Sequence, residues 1–307
     1  MAQITRREFV ALSSAAVAAT LTSRVHAGPL QQGAAPIPVF APVRRNVNIF
    51  TARGGTIGWL SNRDALIVID TQYPDSAAIC LDGLKTRVTR PVDLVFNTHH
   101  HIDHTGGNGV FRAVAKKIIA QAKVPELQKM AAAQTPNAEP PVLPDATFEQ
   151  TWTEHPGDET ITGRYYGPGH TGGDAIYHFE RAHVVHMGDL LWLQFHPRVD
   201  RPAGASIQNW LKTLETVSRD LPRDTIYIGG HAKQGVGVTA DVTAVTNFRD
   251  YFDAVLTTVR KGLGAGKSKA EITATPLPQF ASYQTSGSAL SLPAVLGVAC
   301  DELSPAG

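Results

Sequence analysis

The fold of this chain is limited first by two apolar runs that are joined by a helical stretch. The first run, DALIVID, ends at Asp70, and the second, VDLVFNT, follows Pro91 and leads into a cluster of histidines. Between them, DSAAICLDGL carries apolar residues at helical spacing. Because DALIVID is apolar at nearly every position, we expect a strand that is buried on both faces. The order of strand, helix and strand predicts a βαβ unit within an α/β fold.

Four histidines and one aspartate follow the second run in the sequence HHHIDH, which starts at His99. A hydrophobic core has no use for this cluster, because each neutral imidazole needs a partner for a ring nitrogen. A disordered metal-sequestering tract would be of low complexity and would lack flanking strands. In an extended segment, residues two apart project to the same side, so His99 and His101 can hold one ion together. A turn would direct Asp103 and His104 at an adjacent ion, whereas His100 is expected to face away.

Three further candidate ligands each stand at the end of a strand-like run. His170 lies in the glycine-rich segment GPGHTGGD, Asp189 follows VVHMG, and His231 follows IYIGG. Imidazole nitrogens and carboxylate oxygens suit Zn²⁺, Mn²⁺ or Fe²⁺. Seven ligands are too many for one tetrahedral ion and suit two ions that share a carboxylate. The sequence therefore predicts two divalent metal ions, with Zn²⁺ favoured over Mn²⁺ and Fe²⁺.

The segments HHHIDH, GPGHTGGD, HMGD and GGH, in this order and spacing, resemble the metallo-β-lactamase fold superfamily over about residues 46–261. The resemblance implies an αβ/βα four-layer sandwich, in which two central mixed sheets carry helices on their outer faces. It also implies two ligand sets joined by a bridging aspartate: His99, His101 and His170 for the first metal, Asp103, His104 and His231 for the second, and Asp189 between them.

One position separates the branches of this superfamily. Asp189 matches the bridging aspartate of the glyoxalase II and lactonase branches. The most similar subclass of β-lactamases has a cysteine at that position and a lysine three residues later, where this chain has Trp192. This departure argues against efficient hydrolysis of β-lactams.

The predicted function is that of a binuclear metal-dependent hydrolase. A hydroxide shared by the two metals would attack the carbonyl carbon of an amide, lactone, ester or thioester. Asp103 is the predicted catalytic residue, because it can ligate a metal, orient the nucleophile and pass a proton to the leaving group. The alternative is a mononuclear iron dioxygenase of the persulfide-oxidising branch, against which the complete second ligand set argues. A binding protein that has lost the chemistry is the least favoured hypothesis.

Other side chains near these motifs have two interpretations each. Asp70 either accepts a hydrogen bond that fixes a histidine ring or simply caps the end of its strand. Trp192 and Phe195 are expected to line an apolar substrate wall from an exposed loop. Arg198 and Arg201 either meet an anionic substrate or belong to a solvated loop.

The predicted organisation has four parts. Residues 1–27 combine TRREF, an apolar stretch and the ending VHA, which is the layout of a twin-arginine-type export signal. This layout predicts a periplasmic or secreted bacterial protein; an ordinary helix start is the alternative. An extended N-terminal arm at 28–45 and a metallo-β-lactamase-like domain at 46–262 precede a C-terminal extension at 263–307. No membrane span is expected after removal of the signal.

The charge balance indicates the kind of partner. With 28 Lys and Arg against 27 Asp and Glu, the formal net charge is +1. That balance gives no electrostatic basis for binding nucleic acid. We therefore expect a small-molecule substrate and no nucleic-acid partner.

Overall fold

The computed structural model describes residues 37–137 and 139–304. The predicted export signal at residues 1–27 lies outside the described residues. The described residues belong to one compact unit, which includes the last part of the predicted arm, from residue 37, and the predicted C-terminal extension up to residue 304.

The first sheet has seven strands that follow one another in sequence order. They are β1 (Val39–Arg44), β2 (Val47–Thr51), β3 (Ile57–Ser61), β4 (Leu66–Ile69), β5 (Leu94–Asn97), β6 (Lys117–Gln121) and β7 (Ala146–Phe148). The strands from β1 to β4 pair antiparallel, and those from β4 to β7 pair parallel.

The second sheet has six strands in the order β13-β12-β11-β10-β9-β8. They are β8 (Thr151–Glu154), β9 (Ile161–Tyr165), β10 (Ala175–Phe179), β11 (Val184–Leu193), β12 (Ile226–Ala232) and β13 (Thr239–Ala240). Here β11 and β12 pair parallel, and the other neighbours pair antiparallel. Both sheets are therefore mixed, as the resemblance implied.

Eight α-helices connect or cover the sheets within the described residues. They are α1 (Pro74–Lys85), α2 (Ile102–Thr105), α3 (Asn108–Arg112), α4 (Val124–Ala133), α5 (Ile207–Asp220), α6 (Val242–Gly264), α7 (Lys269–Thr273) and α8 (Leu292–Leu303). Among the described residues, no helix is both long enough and apolar enough to cross a membrane.

The strand β4 shows how the layers are built. Leu66 and Val68 pack in one apolar cluster with Cys80 of α1, whereas Ile67 and Ile69 pack in another cluster, between the two sheets. Alternate residues of a strand point to opposite faces. The predicted burial of this strand on both faces is therefore confirmed.

The second sheet is covered in the same way. Leu191 of β11 packs with Trp210 of α5 and Phe252 of α6 in a third cluster, which also contains Val295 of α8. Helices thus cover the outer face of each sheet, and the inner faces pack against each other. The predicted αβ/βα four-layer sandwich is confirmed.

A nearly buried carboxylate fastens the C-terminal helix α8 to the start of α5. Glu302 accepts hydrogen bonds from the backbone N–H of Ile207 (2.8 Å), from that of Gln208 (3.1 Å) and from the Ser206 hydroxyl (2.7 Å). The first N–H groups of a helix have no partner inside the helix, and an anion there is favourable. Glu302 therefore stabilises both helices at once.

We expect Glu302→Gln to lower the free energy of unfolding by about 1–3 kcal/mol, because it removes charge-assisted hydrogen bonds. Urea denaturation of the two proteins measures this difference. The matched control is Glu215→Gln on the exposed side of α5, away from the first turn of that helix, which should change the stability by less than about 0.5 kcal/mol. Equal losses in the two variants would contradict the proposed role of Glu302.

Candidate metal centre

Backbone hydrogen bonds between the two sheets bring the candidate ligands to one place. The Ala175 N–H donates to the Thr98 carbonyl (2.7 Å), and the Thr56 N–H donates to the Gly230 carbonyl (3.0 Å). The first bond ties the end of β5 to β10, and the second ties the β2–β3 loop to β12. The HHHIDH segment is thereby held beside the second sheet.

Three histidines form a first trio. The His101 Nδ1 lies 3.1 Å from the His99 Nε2 and 2.9 Å from the His170 Nε2. One carboxylate oxygen of Asp189, Oδ2, lies 3.3 Å from the His170 Nε2. These four side chains offer ligand atoms that all lie within 4.8 Å of one another.

In His101 and His170, the ring nitrogen that points away from the trio donates a hydrogen bond to another acceptor. The His101 Nε2–H donates to Asp200 Oδ2 (2.8 Å), and the His170 Nδ1–H donates to the Arg198 carbonyl (2.8 Å). Burial lowers the pKa of His170 to about 3, so this ring is neutral. The neutral His170 ring, which donates outward from Nδ1, turns the lone pair of its Nε2 inward, 2.9 Å from the His101 Nδ1. Imidazole nitrogens that converge in this way, each ring held by an outer acceptor, are typical metal ligands, so the first trio fits a metal ion.

Asp103, His104 and His231 form a second trio. The His231 Nε2 lies 3.2 Å from Asp103 Oδ2 and 3.4 Å from the His104 Nε2. The second oxygen of Asp189, Oδ1, lies 3.0 Å from the His104 Nε2 and 3.4 Å from the His231 Nε2. Although it is buried, this oxygen accepts no hydrogen bond from any described residue. An orphaned buried carboxylate oxygen is the expected neighbour of a cation.

The second trio lies in a strongly negative field. Burial lowers the pKa of His231, but the carboxylates of Asp189 and Asp103 outweigh burial and raise it to about 9. Burial also opposes the charged form of His104, but Asp189, Asp70 and Asp103 raise its pKa well above the usual value. The field that favours a proton on these rings favours a divalent cation as well.

Asp70 orients rings on both sides of the centre. Its Oδ2 accepts hydrogen bonds from the His104 Nδ1–H (2.7 Å) and the Thr98 hydroxyl (2.8 Å). The Thr98 hydroxyl oxygen in turn accepts a hydrogen bond from the His99 Nδ1–H (3.0 Å). Of the two interpretations of Asp70, the structure shows the acceptor that fixes a histidine ring.

Two positional predictions were wrong. Asp189 and His231 do not follow their strands but lie within them, because β11 continues to Leu193 and β12 to Ala232. The register between the two strands shifts on both sides of Gly188, whose φ is +51°. This bulge turns Asp189 toward the metal centre in the middle of a strand, and bulges of this kind are frequent beside active sites.

The expected exposure of Trp192 was also wrong. The residue lies in β11, its exposed fraction is only 4%, and its ring centroid lies 4.4 Å from that of His231. Phe195, which follows β11, is buried as well and packs 5.4 Å from Trp192. The tryptophan therefore packs against a candidate ligand from within a strand and does not stand on an exposed loop.

Asp200 is a functional candidate that the sequence analysis missed. It stands between the two arginines of HPRVDRPAG, and it accepts from His101 and from the Arg198 guanidinium (3.2 Å). Arg201 donates to the Ala205 carbonyl at 2.7 Å. The sequence signal for this role was Asp200 itself, an acidic residue between Arg198 and Arg201, of which only the two arginines had been considered. His100 lies outside both trios, in a third group with His101 and Asp200.

Asp174 holds the loop that carries His170. Its carboxylate accepts from the backbone N–H groups of Gly169 (3.0 Å) and Thr171 (2.8 Å) and from the Thr171 hydroxyl (2.6 Å). Burial nevertheless raises the pKa of Asp174 from the ordinary 3.8 to about 6. The protonated form is thus favoured in the folded protein, and its stabilising contribution is complete below about pH 4 and lost as the pH rises through about 6.

We expect the stability of the parent, relative to Asp174→Asn, to fall by up to roughly 3 kcal/mol between pH 4 and pH 7. The asparagine variant does not titrate at this position, so the difference isolates the carboxyl group. Urea denaturation at half-unit pH steps measures it. A difference that stays constant over this range would show that the Asp174 pKa is not raised.

The sequence is similar to that of known metallo-beta-lactamases and hydroxyacylglutathione hydrolases. A family model described as the metallo-beta-lactamase superfamily matches residues 50–231. The metallo-beta-lactamase IND-1 of Chryseobacterium indologenes is 24% identical over 202 residues, which cover 62% of this chain and 80% of that protein. A hydroxyacylglutathione hydrolase of Brucella anthropi is 27% identical over 197 residues, which cover 61% of this chain and 65% of that protein. Against the hydroxyacylglutathione hydrolase of Crocosphaera subtropica, the identity is 28% and the match spans 44% of that protein.

Solved structures with the same fold include the metallo-beta-lactamase IND-7, with a TM-score of 0.58 and 20% identity over 71% of this chain and 98% of that one. A metallo-beta-lactamase from Pontibacter korlensis gives a TM-score of 0.57 and 19% identity, over 70% and 99% of the two chains. The family match covers more than half of the chain and contains all seven candidate ligands, the last of which is its final residue, His231. This chain therefore belongs to the metallo-β-lactamase superfamily.

Proposed function

We propose that this protein is a binuclear metal-dependent hydrolase that cleaves an amide, lactone, ester or thioester. The observation that carries the proposal is the position of Asp189 between the two trios. Its Oδ2 lies 3.3 Å from the His170 Nε2, and its Oδ1 lies 3.0 Å from the His104 Nε2. One carboxylate that turns an oxygen toward each ligand set suits two cations placed side by side.

Two divalent cations, with Zn²⁺ favoured, would supply Lewis-acid polarisation of the carbonyl group and a water of lowered pKa. The first trio would hold one cation and the second trio the other, with Asp189 shared. Asp103 has the most exposed side chain of the second trio, at 23%. It therefore faces the side from which a substrate arrives, where it can orient the nucleophile and carry a proton to the leaving group.

The substrate class follows from the residues near the bridging position. The names of the relatives describe two activities, that of a metallo-beta-lactamase and that of a hydroxyacylglutathione hydrolase. Asp189 and Trp192 stand where β-lactamases of the most similar subclass have cysteine and lysine. We therefore favour a lactone, ester or thioester over a β-lactam. We also propose that residues 1–27 export the protein, which places the reaction in the periplasm or outside the cell.

The proposal is tested by removing and restoring the metals. Chelation of the purified protein should abolish hydrolysis, and Zn²⁺ or Mn²⁺ should restore it, in a panel of lactones, aryl esters, thioesters and β-lactams. Elemental analysis should find two divalent ions per chain. One iron per chain, together with failure to hydrolyse any member of the panel, would favour the dioxygenase alternative.

A further inference from the structure

A cavity of about 440 Å³ lies between the end of β11 and the C-terminal part of the chain. Trp192, Leu193 and Gln194 form one wall, and the segment from Gln279 to Tyr283 contributes to the opposite wall. Gly237, in the connection between β12 and β13, also lines it. Its volume is within the range of about 300–1,000 Å³ that is typical of small-molecule sites.

The lining has a consistent chemical character. Among the described residues that line the cavity, none carries a formal charge. Aromatic rings come from Trp192, Phe280 and Tyr283, and carboxamides come from Gln194 and Asn247. Flat aromatic walls favour a planar ring, and carboxamides bond its neutral polar substituents. An ionised group would lose its hydration without gaining an opposite charge.

Trp192 connects this cavity to the metal centre. Its ring lies 4.4 Å from the His231 ring, tilted by 31°, and 6.1 Å from the His170 ring. Its indole N–H donates to the Asp189 carbonyl at 2.9 Å. The side chain that lines the cavity therefore packs against His231 of the second trio and donates a hydrogen bond to the backbone of Asp189. A molecule in the cavity lies one ring away from the candidate ligands.

The cavity is built partly from sequence that the superfamily match does not include. That match ends at residue 231, and the lining residues from Val236 to Tyr283 all follow it. The metal centre lies within the matched segment, whereas one side of the cavity is formed by residues that are C-terminal to it. Such a division is expected where a common reaction is directed to a particular substrate.

We propose that this cavity, which we call the Trp192 cavity, binds a neutral planar-ring group of the substrate that the metal centre hydrolyses. This assignment rests on the proposed hydrolase function and narrows it to substrates with an uncharged aromatic or heteroaromatic group. The reacting carbonyl lies at the metals, and the ring lies against Trp192, Phe280 and Tyr283.

Binding is measured first without any turnover. Benzamide is the neutral probe and benzoate its charged counterpart, each titrated by calorimetry into the full chain. We expect benzamide to bind at least about tenfold more tightly than benzoate. Equal affinities would overturn the assignment to a neutral group. Because this test does not need hydrolysis, an inactive preparation would count against the proposed function and not against the cavity.

A matched pair of variants locates the site. A Cβ at Gly237 meets no atom within 4 Å, so Gly237→Phe adds a ring at the lining of the cavity without a backbone clash. A Cβ at Gly264, which does not line the cavity, is equally free. We expect Gly237→Phe to weaken benzamide binding at least about tenfold and Gly264→Phe to leave it unchanged. Phe280→Leu, which removes one aromatic face and keeps apolar volume, should also weaken it. Unchanged binding in both Gly237→Phe and Phe280→Leu would overturn the proposal.

Kinetics test the link to the reaction. With the metal-loaded enzyme, benzamide should inhibit competitively, and the preference for a phenylacetyl over an acetyl thioester should fall about tenfold in Gly237→Phe. The Gly264→Phe protein should keep the parent preference. Benzamide that binds without competing with the substrate would overturn the assignment to a substrate group.

Discussion

Replacing Asp189 by alanine is expected to lower kcat/KM by about 10³-fold or more and to reduce the bound metal from two ions to one or none per chain. The reason is that both of its oxygens are used. Oδ1 faces His104 and His231, and Oδ2 faces His170. Loss of the side chain therefore weakens both ligand sets together, whereas loss of any one histidine weakens only its own set.

The measurements are elemental analysis after dialysis and steady-state kinetics on the best substrate of the panel. Asp253→Ala, an exposed aspartate on α6, is the matched control and should keep two ions and the parent kcat/KM. Asp189→Asn helps to separate charge from shape, because it keeps the volume and one oxygen. Two tightly bound ions and near-parent activity in Asp189→Ala would contradict the proposal that Asp189 is shared by the two ligand sets.

The burial of β4 could be predicted because it depends on local pattern alone. A strand with apolar residues on both faces must be covered on both sides, and Leu66 and Ile67 lie in different apolar clusters. The convergence of His99 and His101 was predictable for a similar reason. The spacing of His99 and His101 fixes their relative direction within one short segment, whatever the rest of the chain does.

The placement of Asp189 could not be predicted in the same way. The sequence Met187-Gly188-Asp189 looks like the end of a strand, and nothing in it shows that β11 continues to Leu193. The bulge that allows this depends on the pairing with the neighbouring strand. The register of β11 against β12 shifts at Gly188, and only that pairing shows it. The prediction therefore named Asp189 as a candidate ligand and misjudged its position in the strand.

Hydrogen bonds between residues far apart in the sequence could not be predicted either. Asp200 bonds to His101 across 99 positions of sequence, and Glu302 bonds to Ser206 across 96. Contacts at such separation follow from how whole elements pack, and a single sequence contains no periodic signal for them. The Trp192 cavity has the same origin, because its walls come from the end of β11, from the connection between β12 and β13, from α6 and from the C-terminal segment.

Gly230 leads to the second large expected effect. A Cβ at this position would overlap Asp189 Oδ1 and would lie 2.9 Å from the carbonyl carbon of Gly188. The carbonyl of Gly230 is held by the Thr56 N–H (3.0 Å) and hydroxyl (3.1 Å), so β12 cannot easily move away. The side chain that has to yield is therefore the carboxylate of Asp189.

We expect Gly230→Ala to lower kcat/KM by about 10²-fold or more and to release at least one ion, with a loss of stability of about 1–3 kcal/mol. Elemental analysis, kinetics and urea denaturation measure the three effects. Gly264→Ala adds the same methyl group where no atom lies within 4 Å, and it should leave metal content and kcat/KM at the parent values. If Gly230→Ala kept both ions and full activity, Asp189 would not need its present position between the trios. The loss of ions and activity at a residue that offers no ligand atom of its own would instead show that backbone packing sets the geometry of the centre.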